Sequence, residues 1–259
     1  VNIGYTAGIE TTKVAHQWLE KSHEVNKIIV VSNHAKNVFQ DTVYEAVHNE
    51  TGQKVQLQLQ TPIVTVNYPA KKFENLPNIE LELDYDINLL CVSQWGPRKN
   101  VPNTVKWFVE EFVDDEVGLV VKTNLAKNCL MDRLKVKNQL KGLLEQYPDR
   151  KCKVYLLHGD MEDEEMHSLY AHNQISALVH LAHGEGFGLP LFESAYSGLP
   201  VVATGWSGQL DFLVDETGKD RFYNVAFDLN HVPDEVVWEG VLIKESMWAF
   251  PREASAKHQ

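Results

Sequence analysis

Two glutamates, Glu185 and Glu193, stand eight positions apart in the stretch HGEGFGLPLFES (183–194), with Gly186, Phe187, Gly188, Leu189 and Pro190 between them. Eight residues of continuous helix span ~12 Å. That spacing does not suit the carboxylate pair of a glycosidase, which needs ~5–9.5 Å across one bond. It suits two acids that grip different ends of one elongated, hydroxyl-rich ligand. A carboxylate accepts hydrogen bonds from vicinal hydroxyls, so one acid could hold a ribose and the other a sugar, with the amides of Phe187 to Leu189 on a diphosphate between them. The plainer alternative is a set of glycines that shape a turn and acids that face water. A second pair, Arg98 and Lys99 in QWGPRKN (94–100), could neutralise a diphosphate and the charge that grows on it as a glycosidic bond breaks. Its plainer alternative is two exposed cations near a turn.

The surrounding pattern separates these alternatives. Short apolar, β-branched runs recur as KIIVV (27–31), PIVTV (62–66), INLLCV (87–92), VGLVVKT (117–123), KVYLL (153–157), ISALVHL (175–181) and LPVVAT (199–204), and these read as buried strands. Stretches of helical period lie between most of them, at 11–24, 101–113, 131–146 and 163–173. Strand alternating with helix predicts a parallel, doubly wound α/β sheet whose ligand crevice lies at the carboxyl ends of the strands. Arg98 and Lys99 fall where the strand INLLCV gives way to a helix. Glu185 falls in the loop after ISALVHL, and Pro190 opens a helix that runs through Ser197 and carries Glu193 in its first turns. Both groups therefore sit on the ligand side, which favours the functional reading.

The segment 68–86 breaks the rhythm with two prolines and alternating acids, and marks a linker or boundary. We expect a remnant of one Rossmann-like domain over 1–75 and a fuller one over 76–259. FYNVAF (222–227) and GVLI (240–243) read as edge strands or extended connections. The acidic run 160–165 precedes an apolar-periodic segment and reads as the favoured acidic start of a helix, not as a metal site.

Composition sets outer limits. The chain has 259 residues with a formal charge of −12, which repels nucleic acid phosphates and anionic bilayers over most of the surface. No apolar run approaches the ~18 residues of a membrane span, and no charged leader precedes the first apolar stretch, so a cytoplasmic location is the default expectation. The three cysteines, Cys91, Cys129 and Cys152, form neither a disulfide framework nor a zinc pattern and are expected to be reduced and buried. Asn49-Glu50-Thr51 matches a glycosylation acceptor, which means little without secretion.

Taken together, Glu185-Gly-Phe-Gly-Leu-Pro-Leu-Phe-Glu193, the following SGLPVVAT and Gly208 resemble the retaining, nucleotide-sugar-dependent glycosyltransferases of the GT-B fold, the large Glu-x7-Glu family (glycosyl transferases group 1). Weaker likeness extends over Lys99-Asn100, Val121-Lys122-Thr123 and IIVVSNHAKNVF (28–39). The resemblance implies two Rossmann-like domains facing a cleft, with a nucleoside-diphosphate sugar as donor, no cofactor and no metal. Carried over by position, Glu185 would contact the donor sugar, Glu193 the ribose, and Lys99 the diphosphate. Gly186, Phe187, Gly188 and Leu189 would lie along the phosphates and sugar, with Thr123 at a strand end and Gly159 to Met161 near the base. His183, beside the motif, is the best histidine candidate for a donor contact; His16, His34, His158 and His180 are expected to be structural or exposed.

Three departures stand out. Gln94 occupies the position where the family often has an arginine, so Arg98 would have to substitute for it. Most of a first domain and the terminal helices of the family pattern are expected to be missing. The acceptor is left open among saccharide, lipid and protein, and so is the oligomeric state. Two rivals remain: a nucleotide-sugar-binding module without catalysis, and another enzyme class of the same fold, such as a sugar-nucleotide epimerase or a phosphorylase.

Overall fold

The computed structural model describes residues 1–47 and 52–259; the triplet Asn49-Glu50-Thr51 lies outside them. The first part of the chain runs through β1 (Ile3–Thr6), α1 (His16–Ser22), β2 (Lys27–Val30), α2 (Asn33–Asp41), the hairpin strands β3 (Val43–Val47) and β4 (Lys54–Gln58), and β5 (Ile63–Thr65). Strands β1, β2 and β5 form a parallel sheet in the order β1-β2-β5, while β3 and β4 pair antiparallel beside it. Ile28, Val30 and Ile63 close this small core against Leu19, Ala35 and Phe39 from the two helices. Ser32 caps α2 by accepting from the Ala35 amide at 3.1 Å.

Residues 66–87 contain no helix or strand. They are nevertheless anchored, because Ile79, Leu81 and Leu83 pack onto the larger core that follows. That core is built from β6 (Asn88–Val92), α3 (Val101–Glu111), β7 (Gly118–Lys122), α4 (Leu130–Leu144), β8 (Lys153–Leu157), α5 (Asp163–Tyr170), β9 (Ile175–His180), α6 (Leu189–Tyr196), β10 (Val201–Thr204), α7 (Leu210–Leu213) and β11 (Tyr223–Val225). Successive residues of a strand point to opposite faces. Leu90 and Val120 accordingly meet Leu169, Leu178 and Leu191 on one face, whereas Cys91, Leu119 and Val121 meet Val105, Phe108 and Val136 on the other. Helices cover both faces of the sheet, which is why its central strands read as unbroken apolar runs.

The six strands are parallel in the order β11-β10-β9-β6-β7-β8. The chain thus leaves β6 toward one edge and returns to β9, on the other side of β6, before moving to the opposite edge. The gap between β6 and β9 is the topological switch point, where this architecture opens a crevice at the carboxyl ends of its strands. The fold is the α/β, GT-B-type arrangement expected, with a doubly wound parallel sheet and a second, smaller Rossmann-like sheet.

The structure adds and corrects several elements. Strand β1 escapes sequence reading because its residues alternate between exposed and half-buried, with no buried run. The helix expected over 11–24 shrinks to His16–Ser22, since the chain bends at Thr11 and Thr12, where the Thr11 hydroxyl bonds the Lys13 backbone, and Thr11 and Val14 are buried ahead of the helix. The acidic run resolves as a cap, with Glu162 and Glu165 forming a reciprocal capping box at the start of α5. FYNVAF divides into β11 and the beginning of β12 (Phe227–His231), which pairs antiparallel with β13 (Met247–Pro251) ahead of a short α8 (Glu253–His258). GVLI forms no strand and contributes one isolated bridge, Trp238 to Leu242. Cys91 and Cys152 are buried as expected, but Cys129 is exposed.

Candidate functional site

At the carboxyl end of β6 the chain passes through Pro97–Lys99 in a single 3-10 turn, and Asn100 adopts a left-handed conformation (φ 54°) before α3 starts. The Asn100 side chain donates to the Leu181 carbonyl at 3.1 Å, and the His183 amide donates to the Arg98 carbonyl at 2.8 Å. These two bonds lash the turn after β6 to the loop after β9 across the switch point. Arg98, Lys99 and Glu185, predicted from separate segments, are thereby brought into direct contact.

Glu185 is buried at 5% exposure, and its carboxylate gathers nitrogen donors around it. Lys99 Nζ lies 2.5 Å from Oε1, His180 Nε2 lies 2.8 Å from the same oxygen, and an Arg98 guanidinium nitrogen stands 3.3 Å from Oε2. Burial alone would push the carboxyl up. The His180 hydrogen bond and the Lys99 and Arg98 charges outweigh it and hold Glu185 well below the usual carboxylate range. Arg98 also donates to the Gly184 carbonyl at 2.6 Å and reaches Glu10 at 3.3 Å, the latter from the loop after β1. The cations expected to meet a diphosphate are therefore already engaged with two carboxylates.

The glycines have a steric cause. A Cβ on Gly186 would stand 2.6 Å from the Ala7 carbonyl oxygen, and one on Gly208 would stand 2.1 Å from the Gly186 carbonyl oxygen. Three backbone segments from the two sheets stack here without room for side chains. The Glu185 backbone is pinned within this stack, its amide donating to Ser207 Oγ at 2.8 Å and its carbonyl accepting from the Gly208 amide at 2.9 Å.

Glu193 has a different environment. It sits half-buried on α6, where the Tyr170 hydroxyl donates to its Oε2 at 3.1 Å. Burial raises its carboxyl above the ordinary value, and Asp163 adds to the rise against the Tyr170 bond. It lines a cleft of about 380 Å³ together with Tyr68, Lys71, Asp163, Leu189 and Phe192. Lys71 from the connecting segment pairs with Asp163 beside it. Leu189 is exposed and Gly188 (φ 92°) is the N-cap of α6, with no side chain capping the first turn. Phe187 instead turns inward at 4% exposure, its ring 5.0 Å from Phe212 and 5.2 Å from Tyr68.

The remaining predicted residues fall at the same carboxyl end of the sheet, and among the described residues none of them hydrogen-bonds Glu185 or Glu193. Thr123 is buried at the end of β7, and its amide donates to the Leu157 carbonyl at 3.1 Å. Lys122 donates to the Gly159 carbonyl and anchors the loop after β8, while Met161 packs onto the core. The loop after β7 is organised by Asp132, whose carboxylate accepts from the Leu125, Ala126 and Lys127 amides and from His158. Burial opposes that charge, but the backbone amides and His158 hold Asp132 well below the usual range. Gln94, at the position of the missing arginine, donates to the Leu125 carbonyl at 2.6 Å and ties this loop to the turn after β6.

Two histidines lie beside the site. His183 directs Nδ1 to the Ala249 carbonyl at 2.9 Å, stacks on Trp248 with 12° between planes, and lies 4.4 Å from Phe250, so its ring is committed to β13. His180, set aside as structural or exposed, is buried and bonds Glu185 directly. The available signal was a histidine at the carboxyl end of a buried strand. Glu10 gave no signal, because its contact with Arg98 depends on how the two sheets meet. Among the described residues no group of three or more His, Cys, Asp or Glu side chains could hold a metal ion, and no helix is long and apolar enough to cross a membrane.

The family model described as "Glycosyl transferases group 1" matches residues 73–220. No curated protein matches the chain. Among similar solved structures, a glycosyltransferase from Rickettsia africae ESF-5 is 12% identical, with a TM-score of 0.58 over 87% of this chain and 56% of its own. The pneumococcal O-GlcNAc transferase GtfA in complex with UDP and GlcNAc is 16% identical, with a TM-score of 0.51 over 99% of this chain and 43% of its own. A third similar structure, E. coli trehalose-6-phosphate bound with UDP-2-fluoro glucose, is 11% identical with a TM-score of 0.54, over 82% of this chain and 54% of its own. The chain thus spans about half the length of these structures.

Proposed function

The chain belongs to the glycosyl transferases group 1 family, and we propose that it binds a nucleoside-diphosphate sugar and transfers the sugar to an acceptor hydroxyl with retention at the anomeric carbon. The observation that carries this reading is the buried, ionised Glu185 at the switch point, flanked by Lys99, Arg98 and His180. Glu185 accepts hydrogen bonds from sugar hydroxyls and Glu193 from the ribose, while the first turn of α6 faces the diphosphate. The same reading divides the chain near residue 75, with the donor site on the larger part.

In the proposed step the bond from the anomeric carbon to the diphosphate oxygen breaks as the acceptor oxygen attacks from the same face. The departing oxygen takes the acceptor's proton, so no protein nucleophile and no metal are required. Arg98 and Lys99 offset the charge that develops on the leaving group. Two of the structurally similar chains are bound to UDP or a UDP-sugar, which makes uridine donors the first to try.

Calorimetric titration with UDP, GDP, ADP, TDP and their sugars tests the reading on wild type and Glu193→Ala. Saturable binding to one nucleotide is expected, weakened about 10- to 100-fold by the substitution, since hydrogen bonds to a charged group contribute ~1.5–3 kcal/mol. Folded protein that binds none of the panel overturns the proposal. The anomeric configuration of the product, read by NMR coupling constants, decides between retention and inversion.

A further inference from the structure

We propose that His180 is a positioning residue for Glu185, holding one carboxylate oxygen so that the other is presented to the sugar of the donor; this rests on the function proposed above. The last torsion of a glutamate is broad and roughly two-fold, so the direction of its two oxygens is set by their partners and not by an intrinsic rotamer. In Glu185 the partners are unequal. Oε1 receives both Lys99 at 2.5 Å and His180 at 2.8 Å. Oε2 has Arg98 at 3.3 Å, and that guanidinium makes its shorter bond, 2.6 Å, to the Gly184 carbonyl. One oxygen is thus saturated, while the other keeps acceptor capacity for a hydroxyl.

Of the two groups on Oε1, His180 is the rigid one. Lys99 is a point charge on a flexible stem, whereas the imidazole is 2% exposed at the end of β9. Its far nitrogen, Nδ1, lies 3.4 Å from the hydroxyl of Ser93, which follows β6. Burial keeps the ring neutral, against the pull of Glu185. A neutral imidazole has a single N–H, and the serine hydroxyl can donate to Nδ1, which leaves the hydrogen on Nε2 pointing at Glu185. Adjacent strands therefore supply a Ser93–His180–Glu185 relay of orientation that passes no proton.

The test uses His180→Phe, which keeps a ring and removes both nitrogens, and His180→Gln, whose amide can restore a donor where Nε2 stood. For each protein the affinity for the free nucleoside diphosphate from the panel is compared with that for its sugar conjugate. The expected result is unchanged affinity for the diphosphate, a loss of about tenfold in the extra affinity conferred by the sugar in His180→Phe, and recovery of most of it in His180→Gln. Equal sugar-dependent affinity in wild type and His180→Phe overturns the proposal, as does parallel loss of diphosphate and conjugate, or a glutamine that rescues nothing. Nitrogen-15 NMR of the wild-type imidazole gives a readout without ligand. The Nε2–H tautomer is expected at neutral pH, and an Nδ1–H tautomer overturns this proposal alone. A wild type that binds no sugar nucleotide overturns both readings.

Discussion

Glu185 and Glu193 are chemically identical, and their surroundings drive them apart. Glu193 sits in a partly apolar cleft beside Asp163 and is pushed upward, whereas Glu185 lies among three nitrogen donors and is pulled down. The sign for stability follows. A carboxyl depressed in the folded state stabilises it above the unfolded value near 4.5, and that contribution is lost as pH falls toward the folded value. Glu185→Gln leaves Lys99 and Arg98 without their buried counter-charge, and should cost about 3–5 kcal/mol at neutral pH. Urea unfolding should show that deficit shrinking once the pH drops below about 4, and a deficit independent of pH would mean that its cause is not the charge. The two acids and the Arg98-Lys99 pair were legible from residue type and position after a strand. His180 was not, although it stands only five residues before Glu185, because within ISALVHL a buried histidine reads as one more inward-facing position, and the pattern does not show that the loop after β9 turns the Glu185 side chain back onto it.

Elements were legible where a period ran long enough to be seen. The helices at 101–111, 130–144 and 163–170 and the buried parallel strands follow the apolar pattern to within a few residues. Strand β1, the β3-β4 hairpin and the β12-β13 pair did not announce themselves, because they are short, exposed on a face, or stabilised by partners distant in sequence. The glycines show the same division. Gly142 lies within α4 with open space around its missing Cβ, so Gly142→Ala should stabilise the protein by about 0.5–1 kcal/mol through helix propensity. Gly208 has the Gly186 carbonyl oxygen 2.1 Å from where its Cβ would be. Gly208→Ala must displace the loop that carries Glu185, costing roughly 1–3 kcal/mol and weakening sugar-nucleotide binding together with stability. Thermal denaturation of both variants checks the pair. Equal and small effects would mean that the close stacking of backbone at this site is looser than its geometry indicates.

At the scale of the molecule, polar groups join the two sheets around the site. Glu10 reaches Arg98, Asp211 accepts from the Asn33 amide at 2.9 Å and from Asn67 at 3.0 Å, and Trp18 donates to the Gly240 carbonyl at 2.7 Å. Glu10 shares Arg98 with Glu185, so under the function proposed above a diphosphate would compete with it; Glu10→Gln should then tighten binding of the free nucleoside diphosphate by a few-fold, the scale of a partly exposed ion pair. Titration calorimetry reads that change, and weaker binding would show Glu10 to be part of the diphosphate site. The junction also has a pH-sensitive member. His34, on α2, packs edge-on against Trp206 with ring centroids 4.8 Å apart, and its Nε2 is buried without a hydrogen-bond partner among the described residues. Burial lowers its pKa from 6.5 to about 4, although the Thr11 backbone and the Asp211 charge favour the protonated ring. Below 6.5 the unfolded chain takes up a proton that the folded chain refuses, so stability falls as pH drops from 6.5 toward 4. The loss is up to about 3 kcal/mol, since every tenfold difference in proton affinity between the folded and unfolded chain corresponds to ~1.4 kcal/mol. His34→Phe keeps the contact with Trp206 and removes the titration. Its stability relative to wild type should therefore rise steadily across that interval in urea unfolding, and a difference that stays constant from neutral to mildly acidic pH would place the acid sensitivity of the junction elsewhere.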